Sequence, residues 1–134
     1  MNLKWQEEYS VGVAVIDNQH KQLVSTIASM AFLLGKSHNV QKIANIFEEL
    51  EQYAAVHFKT EEELFAKYNY EFAAEHIAKH NEFEAKIVEL KVGFKNDSIL
   101  GSFDLTDYLE DWLLNHLLTE DRKYIPYMKQ HNIK

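Results

Sequence analysis

Histidine is the residue type that indicates chemistry in this sequence. His57 is followed four residues later by Glu61, and His76 is followed four residues later by His80. Side chains four residues apart lie on one face of a helix, so each pair can direct two ligand atoms at the same metal ion. One such pair is weak evidence for a metal site, but two pairs in one short chain favour it strongly.

Two further histidines fall on apolar faces of predicted helices. His20 lies three residues before Leu23, and His116 lies four residues after Trp112. Burying one polar side chain without a partner costs about 1–3 kcal/mol, and a domain has a net stability of only about 5–15 kcal/mol. Five unpartnered histidines and a glutamate would consume most of that stability. We therefore expect a metal centre in the core.

The number of ligands predicts two metal ions. Five imidazoles and one carboxylate exceed the four ligands of a tetrahedral zinc, and carboxylates are good bridges between two ions. The fourth helix should supply one more acid. Glu120 lies four residues after His116 and Asp121 lies five residues after it. Asp121 would require a local irregularity such as a π-bulge, and the spacing alone does not choose between the two acids.

Four helices must position these residues. The chain has only four glycines and one proline, which favours long helices. We expect the first helix to begin with Asp17 as its N-cap and to end at Gly35, and the third to end near Gly93. Pro126 limits how far the fourth can continue. Amphipathic patterns without partner strands predict an all-α, up-down-up-down four-helix bundle.

The residues before the first helix predict an extended N-terminal arm. Val11, Val13 and Val15 alternate with other residues, but no second strand is available to pair with them. A length of 134 residues is typical of one domain. The predicted domain covers residues 1–134, with the arm over 1–16, the bundle over about 17–125 and a C-terminal tail over about 126–134.

Composition excludes several classes of function. A net charge of −7 argues against nucleic acid or an anionic membrane surface as a partner. The absence of cysteine excludes disulfides, thiolate ligands and iron–sulfur clusters. The first eight residues lack the apolar run of a signal peptide, and no run is long enough to span a membrane, so a cytoplasmic protein without membrane insertion is expected.

Taken together, these motifs resemble the bacteriohemerythrins, which are single-domain members of the hemerythrin family. The run from Ile16 to Leu23 is similar to the end of the family's arm and its first ligand motif. His57–Glu62 and His76–Phe83 resemble its two central motifs, and Trp112–His116 followed by Asp121 resembles the fourth. The resemblance covers nearly the whole chain and favours the aspartate as the last ligand.

The resemblance implies a non-haem di-iron centre with a solvent-derived oxygen between the irons. It assigns His76, His80 and His116 to one iron, His20 and His57 to the other, and Glu61 and Asp121 to bridges between them. The second iron then has one open position for dioxygen. Five apolar residues match positions that line the oxygen pocket in similar proteins, although ordinary bundle packing also explains them: Leu23, Phe58, Trp112, Leu113 and Leu117.

The implied function is reversible dioxygen binding for storage, delivery or buffering, rather than enzymatic catalysis. One alternative is a di-iron enzyme or repair factor that acts on nitric oxide or peroxide or donates iron. Another is an oxygen-sensing module that works with a separate partner. The resemblance implies dioxygen as the ligand and does not indicate which protein partner the chain has. Glu62 and Glu63 are expected to be exposed charges rather than additional ligands.

Overall fold

The structure is a computed structural model that describes residues 3–36, 40–96 and 100–134. Its four long helices are α1 (Ala14–Lys36), α2 (Val40–Tyr68), α3 (Ala73–Asn96) and α4 (Leu100–Asn115). After α4 come a π-helical turn (His116–Glu120), a 3₁₀ turn (Asp121–Tyr124) and the short helix α5 (Ile125–Gln130). A 3₁₀ turn (Glu7–Tyr9) precedes α1, and no strand occurs among the described residues.

The four long helices form one bundle. Helix α1 packs against α2 and α4, and α3 packs against the same two helices, which closes a ring of four. Only three or four residues separate consecutive helices, at positions 37–39, 69–72 and 97–99. Connections this short make neighbouring helices antiparallel. The predicted all-α, up-down-up-down four-helix bundle is confirmed. Among the described residues, none of the helices has an apolar stretch that could span a membrane.

The bundle interior contains two apolar clusters. The larger one joins all four long helices and includes Ile27, Phe47, Ile87 and Leu109, each at most 2% exposed. Burying one such side chain contributes about 1.5–3 kcal/mol to folding. The smaller cluster gathers residues of α2 and α5 with the segment before α1. Along α2 the first cluster ends at Phe58 and the second begins at Leu64 and Phe65, so polar residues between these positions lie at the junction of the two.

The first helix begins earlier than the sequence predicted. It starts at Ala14, so Asp17 lies in its first turn instead of preceding it as an N-cap. The Asp17 carboxylate accepts hydrogen bonds from the Ser10 hydroxyl at 2.6 Å and from the Val11 backbone N–H at 2.9 Å. Gly12 has a φ of +79° where the chain turns into the helix, a conformation that favours glycine. The extended part of the arm is therefore shorter than the predicted 1–16.

Three other element ends also differ from expectation. Helix α1 passes through Gly35 to Lys36, and α3 passes Gly93 and ends at Asn96. The segment predicted as a tail contains most of α5, and Pro126 lies in the first turn of that helix. A proline there lacks only an N–H that has no partner inside the helix, and its fixed φ suits the helical conformation.

Candidate metal centre

Helices α1, α2 and α3, together with the two turns that follow α4, contribute side chains to one buried polar cluster. The seven side chains predicted as ligands are each between 0% and 4% exposed. They come from α1, α2, α3, the π-helical turn and the 3₁₀ turn that follows it. The structure brings all of them together: His20, His57, Glu61, His76, His80, His116 and Asp121.

The cluster divides into two groups of four possible metal ligands. In each group one ligand atom from every residue lies within 4.8 Å of the others. The first group is Glu61, His76, His80 and His116, and the second is His20, His57, Glu61 and Asp121. The shared glutamate lies between the groups, so its carboxylate is placed to contact two metal ions at once.

Glu61 reaches histidines of both groups through one oxygen atom. Its Oε1 lies 3.0 Å from His57 Nε2 and 3.2 Å from His80 Nε2, and its Oε2 lies 3.5 Å from His76 Nε2. The i, i+4 spacing of His57 and Glu61 on α2 produces the first of these contacts. Because His80 and His57 belong to different groups, Glu61 has the arrangement expected of a bridging carboxylate.

Asp121 also faces both groups, one with each oxygen. Its Oδ2 lies 3.0 Å from His20 Nε2, and its Oδ1 lies 3.0 Å from His116 Nε2. The π-helical turn of residues 116–120 immediately precedes Asp121, so the local irregularity that this ligand requires is confirmed. The Glu120 carboxylate instead lies 3.3 Å from Lys123 Nζ. The structure therefore places the aspartate, and not the glutamate, in the cluster.

The unsatisfied polar atoms of the cluster fit a bound cation. Both oxygens of Glu61 and of Asp121 are buried without a well-directed hydrogen bond. The Nε2 atoms of His20 and His57 lie only 2.8 Å apart, and two imidazole lone pairs at that distance need a proton or a cation between them. Each buried unsatisfied group costs about 1–3 kcal/mol. Imidazole and carboxylate are ligands that suit iron, so the residues present fit a di-iron centre.

Electrostatic interactions within the cluster favour charged carboxylates. Burial alone would raise the pKa of Glu61, but His57 and neighbouring histidines hold it well below its ordinary value. Burial also acts to raise the pKa of Asp121, and the contacts with His116 and His20 lower it below the usual range. Without metal, therefore, the centre keeps two buried negative charges that a bound cation can neutralise.

His76 supplies one positive charge that partly compensates the two carboxylates in the metal-free protein. Burial would lower the pKa of His76, but the close contacts of its Nε2 with Asp121 at 3.1 Å and Glu61 at 3.5 Å raise it to about 10. A proton on this imidazole occupies the nitrogen that a metal ion would use. Metal binding must therefore displace a proton from His76, and metal affinity should rise with pH.

A chain of hydrogen bonds behind His57 fixes the orientation of its ring. His57 Nδ1 lies 3.0 Å from Gln19 Oε1, and Gln19 Nε2 donates to Thr60 Oγ1 at 3.0 Å. The Thr60 hydroxyl donates its own proton to the Val56 carbonyl at 3.0 Å, so it must accept from the Gln19 amide. The Gln19 oxygen then accepts a hydrogen bond from His57 Nδ1, and Nε2 is the nitrogen that faces the metal site.

Glu62 occupies the corresponding position behind His80. Its Oε2 lies 3.0 Å from His80 Nδ1, and its side chain is 36% exposed. Glu62 is therefore only partly exposed, although, as expected, it is not among the candidate ligands, and Glu63 is 69% exposed as expected. The sequence did carry a signal, because Glu62 directly follows a predicted ligand, but spacing alone cannot show which imidazole it meets.

Two of the five predicted pocket residues stack on imidazoles of the polar cluster, and the other three are buried. Phe58 stacks on the His80 ring at a centroid distance of 3.9 Å, and Trp112 stacks on the His116 ring at 4.4 Å. Leu23, Leu113 and Leu117 are between 0% and 3% exposed. All five belong to the larger apolar cluster or pack against it. They form an apolar environment, and their role as an oxygen pocket stays a prediction.

Sequence reasoning missed Tyr124 as a neighbour of the centre. This side chain is fully buried, and its ring centroid lies 5.6 Å from that of His76. Burial, followed by the charges of Asp121 and Glu61, raises the pKa of Tyr124 well above its ordinary value. Its position three residues after Asp121 was the available signal, since the 3₁₀ turn places residues three apart on one side.

Comparison with known proteins identifies the family to which this chain belongs. Residues 11–128 match the model of the hemerythrin HHE cation binding domain, and that span includes all seven residues of the cluster. The chain is 35% identical over 125 residues to a bacteriohemerythrin of Pseudomonas aeruginosa, covering 92% of this chain and 80% of that protein. It is 30% identical over 128 residues to a bacteriohemerythrin of Clostridium acetobutylicum, covering 90% and 97%.

A third relative is similar over a comparable share of the chain. A hemerythrin-like protein of Naegleria gruberi is 28% identical over 120 residues, covering 90% of this chain and 88% of that protein. The chain therefore belongs to the hemerythrin family, and the resemblance inferred from its motifs is confirmed.

Proposed function

We propose that this protein binds dioxygen reversibly at a non-haem di-iron centre and so stores, delivers or buffers oxygen. The observation that carries the proposal is the pair of buried ligand groups that share Glu61, with Asp121 facing both. Membership of the hemerythrin family and similarity to proteins named bacteriohemerythrin support iron as the metal.

The seven side chains would hold the two irons unequally. His76, His80 and His116 would serve one iron and only His20 and His57 the other, while Glu61 belongs to both groups and Asp121 also contacts histidines of both. One iron then has one protein ligand fewer, on the side of His20 and His57. When bound, the irons supply the electrons and the vacant coordination position that dioxygen requires.

The charge of the ligand set favours binding over oxygen cleavage. Two carboxylates and five imidazoles place less negative charge on the metals than the four-carboxylate sites of ferritin-like bundles do. Weaker electron donation disfavours the higher oxidation states that cleavage of the O–O bond needs. The chain's own contribution is therefore a ligand set of low negative charge, positioned by the four-helix bundle.

The apolar residues would protect the bound ligand from water. Leu23, Leu113 and Leu117 are almost fully buried and lie in the same apolar cluster as Phe58, which stacks on His80. An apolar wall excludes the water and protons that would remove oxygen in a reduced form. We assign these leucines, with Phe58 and Trp112, to the oxygen pocket as part of the proposal.

Repeated oxygenation of the reduced protein tests the function. The iron-loaded protein is reduced anaerobically, exposed to oxygen and then purged, while its visible spectrum is recorded over several cycles. Reversible binding predicts a charge-transfer band that appears with oxygen and disappears on purging. Irreversible conversion to the diferric form, with consumption of nitric oxide or peroxide, would contradict the proposal and favour an enzyme.

A further inference from the structure

We propose that Glu62 is a positioning residue that makes the two metal sites unequal. Through its contact with His80, it makes the ion held by His76, His80 and His116 the more tightly bound and the more easily oxidised of the two. This inference rests on the proposed di-iron centre. It adds a function for a side chain that lies outside the seven ligands.

The contact between Glu62 and His80 defines the state of the imidazole. A carboxylate at neutral pH only accepts hydrogen bonds, and Glu62 Oε2 lies 3.0 Å from His80 Nδ1. The proton therefore resides on Nδ1, and the lone pair resides on Nε2, which faces Glu61 Oε1 at 3.2 Å. Phe58 stacks almost parallel to the ring, with an interplanar angle of 10°, and restricts its rotation.

The histidines of the other ligand group have different hydrogen-bond partners at Nδ1, the ring nitrogen that faces away from the metal site. His57 Nδ1 meets the neutral amide oxygen of Gln19, and the bond from Gln19 to Thr60 fixes that orientation. His20 Nδ1 is buried and has no hydrogen-bond partner among the described residues. An anionic outer partner is thus found at His80, and a neutral one at His57.

An anionic hydrogen-bond partner makes an imidazole a stronger electron donor to a metal ion. A hydrogen bond to a carboxylate is stronger than one to an amide and increases the basicity of the imidazole. A more basic imidazole donates more charge to a metal, and it stabilises the ferric ion more than the ferrous ion. Such outer partners typically change metal affinity about 10–100-fold. Because Glu62 is 36% exposed, solvent screening places the expected effect toward the lower end of that range.

Glu62→Gln isolates the charge, and Glu63→Gln is its matched control. Glutamine keeps the size of Glu62 and an acceptor oxygen for His80 Nδ1 but removes the negative charge. Glu63→Gln removes the same charge one residue away, from a side chain that is 69% exposed and lies 3.9 Å from Lys59. Any difference between the two variants then reports the contact with His80 rather than net charge.

The measurement is the midpoint potential of each iron in the iron-loaded protein, determined by anaerobic spectroelectrochemistry. For Glu62→Gln we expect the lower of the two potentials to rise by about 59 mV, which is a tenfold change in the ratio of ferric to ferrous affinity. We also expect a chelator to remove one iron about tenfold faster than from wild type. Glu63→Gln should leave both quantities near their wild-type values.

Equal shifts in the two variants would overturn the role of Glu62. Both readouts are taken without oxygen, so a failure of reversible oxygen binding would count against the proposed function and leave this inference standing. A wild-type protein that binds no iron would overturn both. Gln19→Glu adds a converse test: an anionic partner for His57 should bring the two potentials closer together, and a wider separation would contradict the inference.

Discussion

His116 and Asp121 are five residues apart in the chain, yet His116 Nε2 lies 3.0 Å from Asp121 Oδ1. In a regular α-helix a spacing of five would turn the second side chain about 140° away from the first. The π-helical turn over residues 116–120 adds one residue to the turn and returns Asp121 to the side of His116. The same turn leaves Glu120 beside Lys123, outside the cluster.

The π-helical turn predicts which acid is needed for metal binding. Asp121→Asn should reduce the iron retained after gel filtration by at least half, because the amide cannot supply two negatively charged oxygens to the two groups. Glu120→Gln changes the neighbouring acid in the same way and should leave the iron content unchanged. Equal losses in both variants would show that the position of Asp121 has no special importance.

The metal-free protein should be most stable in a mildly acidic window. The pKa values of Glu61 and Asp121 lie below their ordinary values of 4.5 and 3.8, so their contribution is present above about pH 4.5 and is lost as the pH falls. The pKa of His76 is raised from 6.5 to about 10, so its contribution is complete below pH 6.5 and is lost as the pH rises toward 10.

Thermal melting of the metal-free protein at a series of pH values tests this window. The Tm should be highest between about pH 4.5 and 6.5 and should decline on both sides. His76→Gln should abolish the alkaline decline and keep the acid one. A Tm of the metal-free wild type that continues to rise from pH 6.5 to 10 would contradict the charges assigned to the centre.

The pocket role of Leu113 predicts a change in autoxidation. Leu113→Asn nearly preserves side-chain volume but introduces an amide that can hold water, at a cost of about 1–3 kcal/mol in the free energy of unfolding. Iron content should stay at the wild-type level while the oxygenated spectrum decays faster. Leu50→Asn is the control, because Leu50 is also fully buried in the larger apolar cluster but lies two turns before His57. Equal decay rates in the two variants would assign Leu113 to the core alone.

The two hydrogen bonds that join the arm to Asp17 of α1, here called the clamp, should contribute measurably to stability. Asp17→Ala removes the acceptor for the Ser10 hydroxyl and the Val11 N–H, and hydrogen bonds to a charged group contribute about 1.5–3 kcal/mol each. Because both bonds are only part-buried, water can replace the lost acceptor, and we expect the free energy of unfolding in urea to fall by only about 1–3 kcal/mol. Asn18→Ala, at an exposed position one residue later, should change it by less than about 0.5 kcal/mol. Indistinguishable variants would show that the clamp is not stabilising.

The sequence was sufficient to predict the bundle and the convergence of six of the polar residues, and the family resemblance added Asp121 as the seventh. Both depend on helical periodicity, which places His57 with Glu61 and His76 with His80 on one face each. The π-helical turn could be predicted once the family resemblance had chosen Asp121 over Glu120, because a ligand five residues after His116 requires such an irregularity. Periodicity fixes which face a side chain occupies, and a four-helix bundle has only one interior for those faces to share.

The ends of the helices and the contacts of side chains behind the ligands could not be predicted from helical periodicity. Val11, Val13 and Val15 looked like an alternating strand, but Val15 is 48% exposed and Val13 and Ile16 are buried, as the first turn of a helix requires. The partner of Glu62 depends on the distance between α2 and α3, which no local pattern encodes. Contacts between helices come from packing, so they appear only in three dimensions.

The most direct test of the account is the number of irons bound by the wild-type chain. After anaerobic loading with ferrous iron and removal of the excess, metal analysis against accurate protein quantification gives the ratio. The two ligand groups joined by Glu61 predict two irons per chain. A single iron, or one zinc with no iron, would contradict the dinuclear centre.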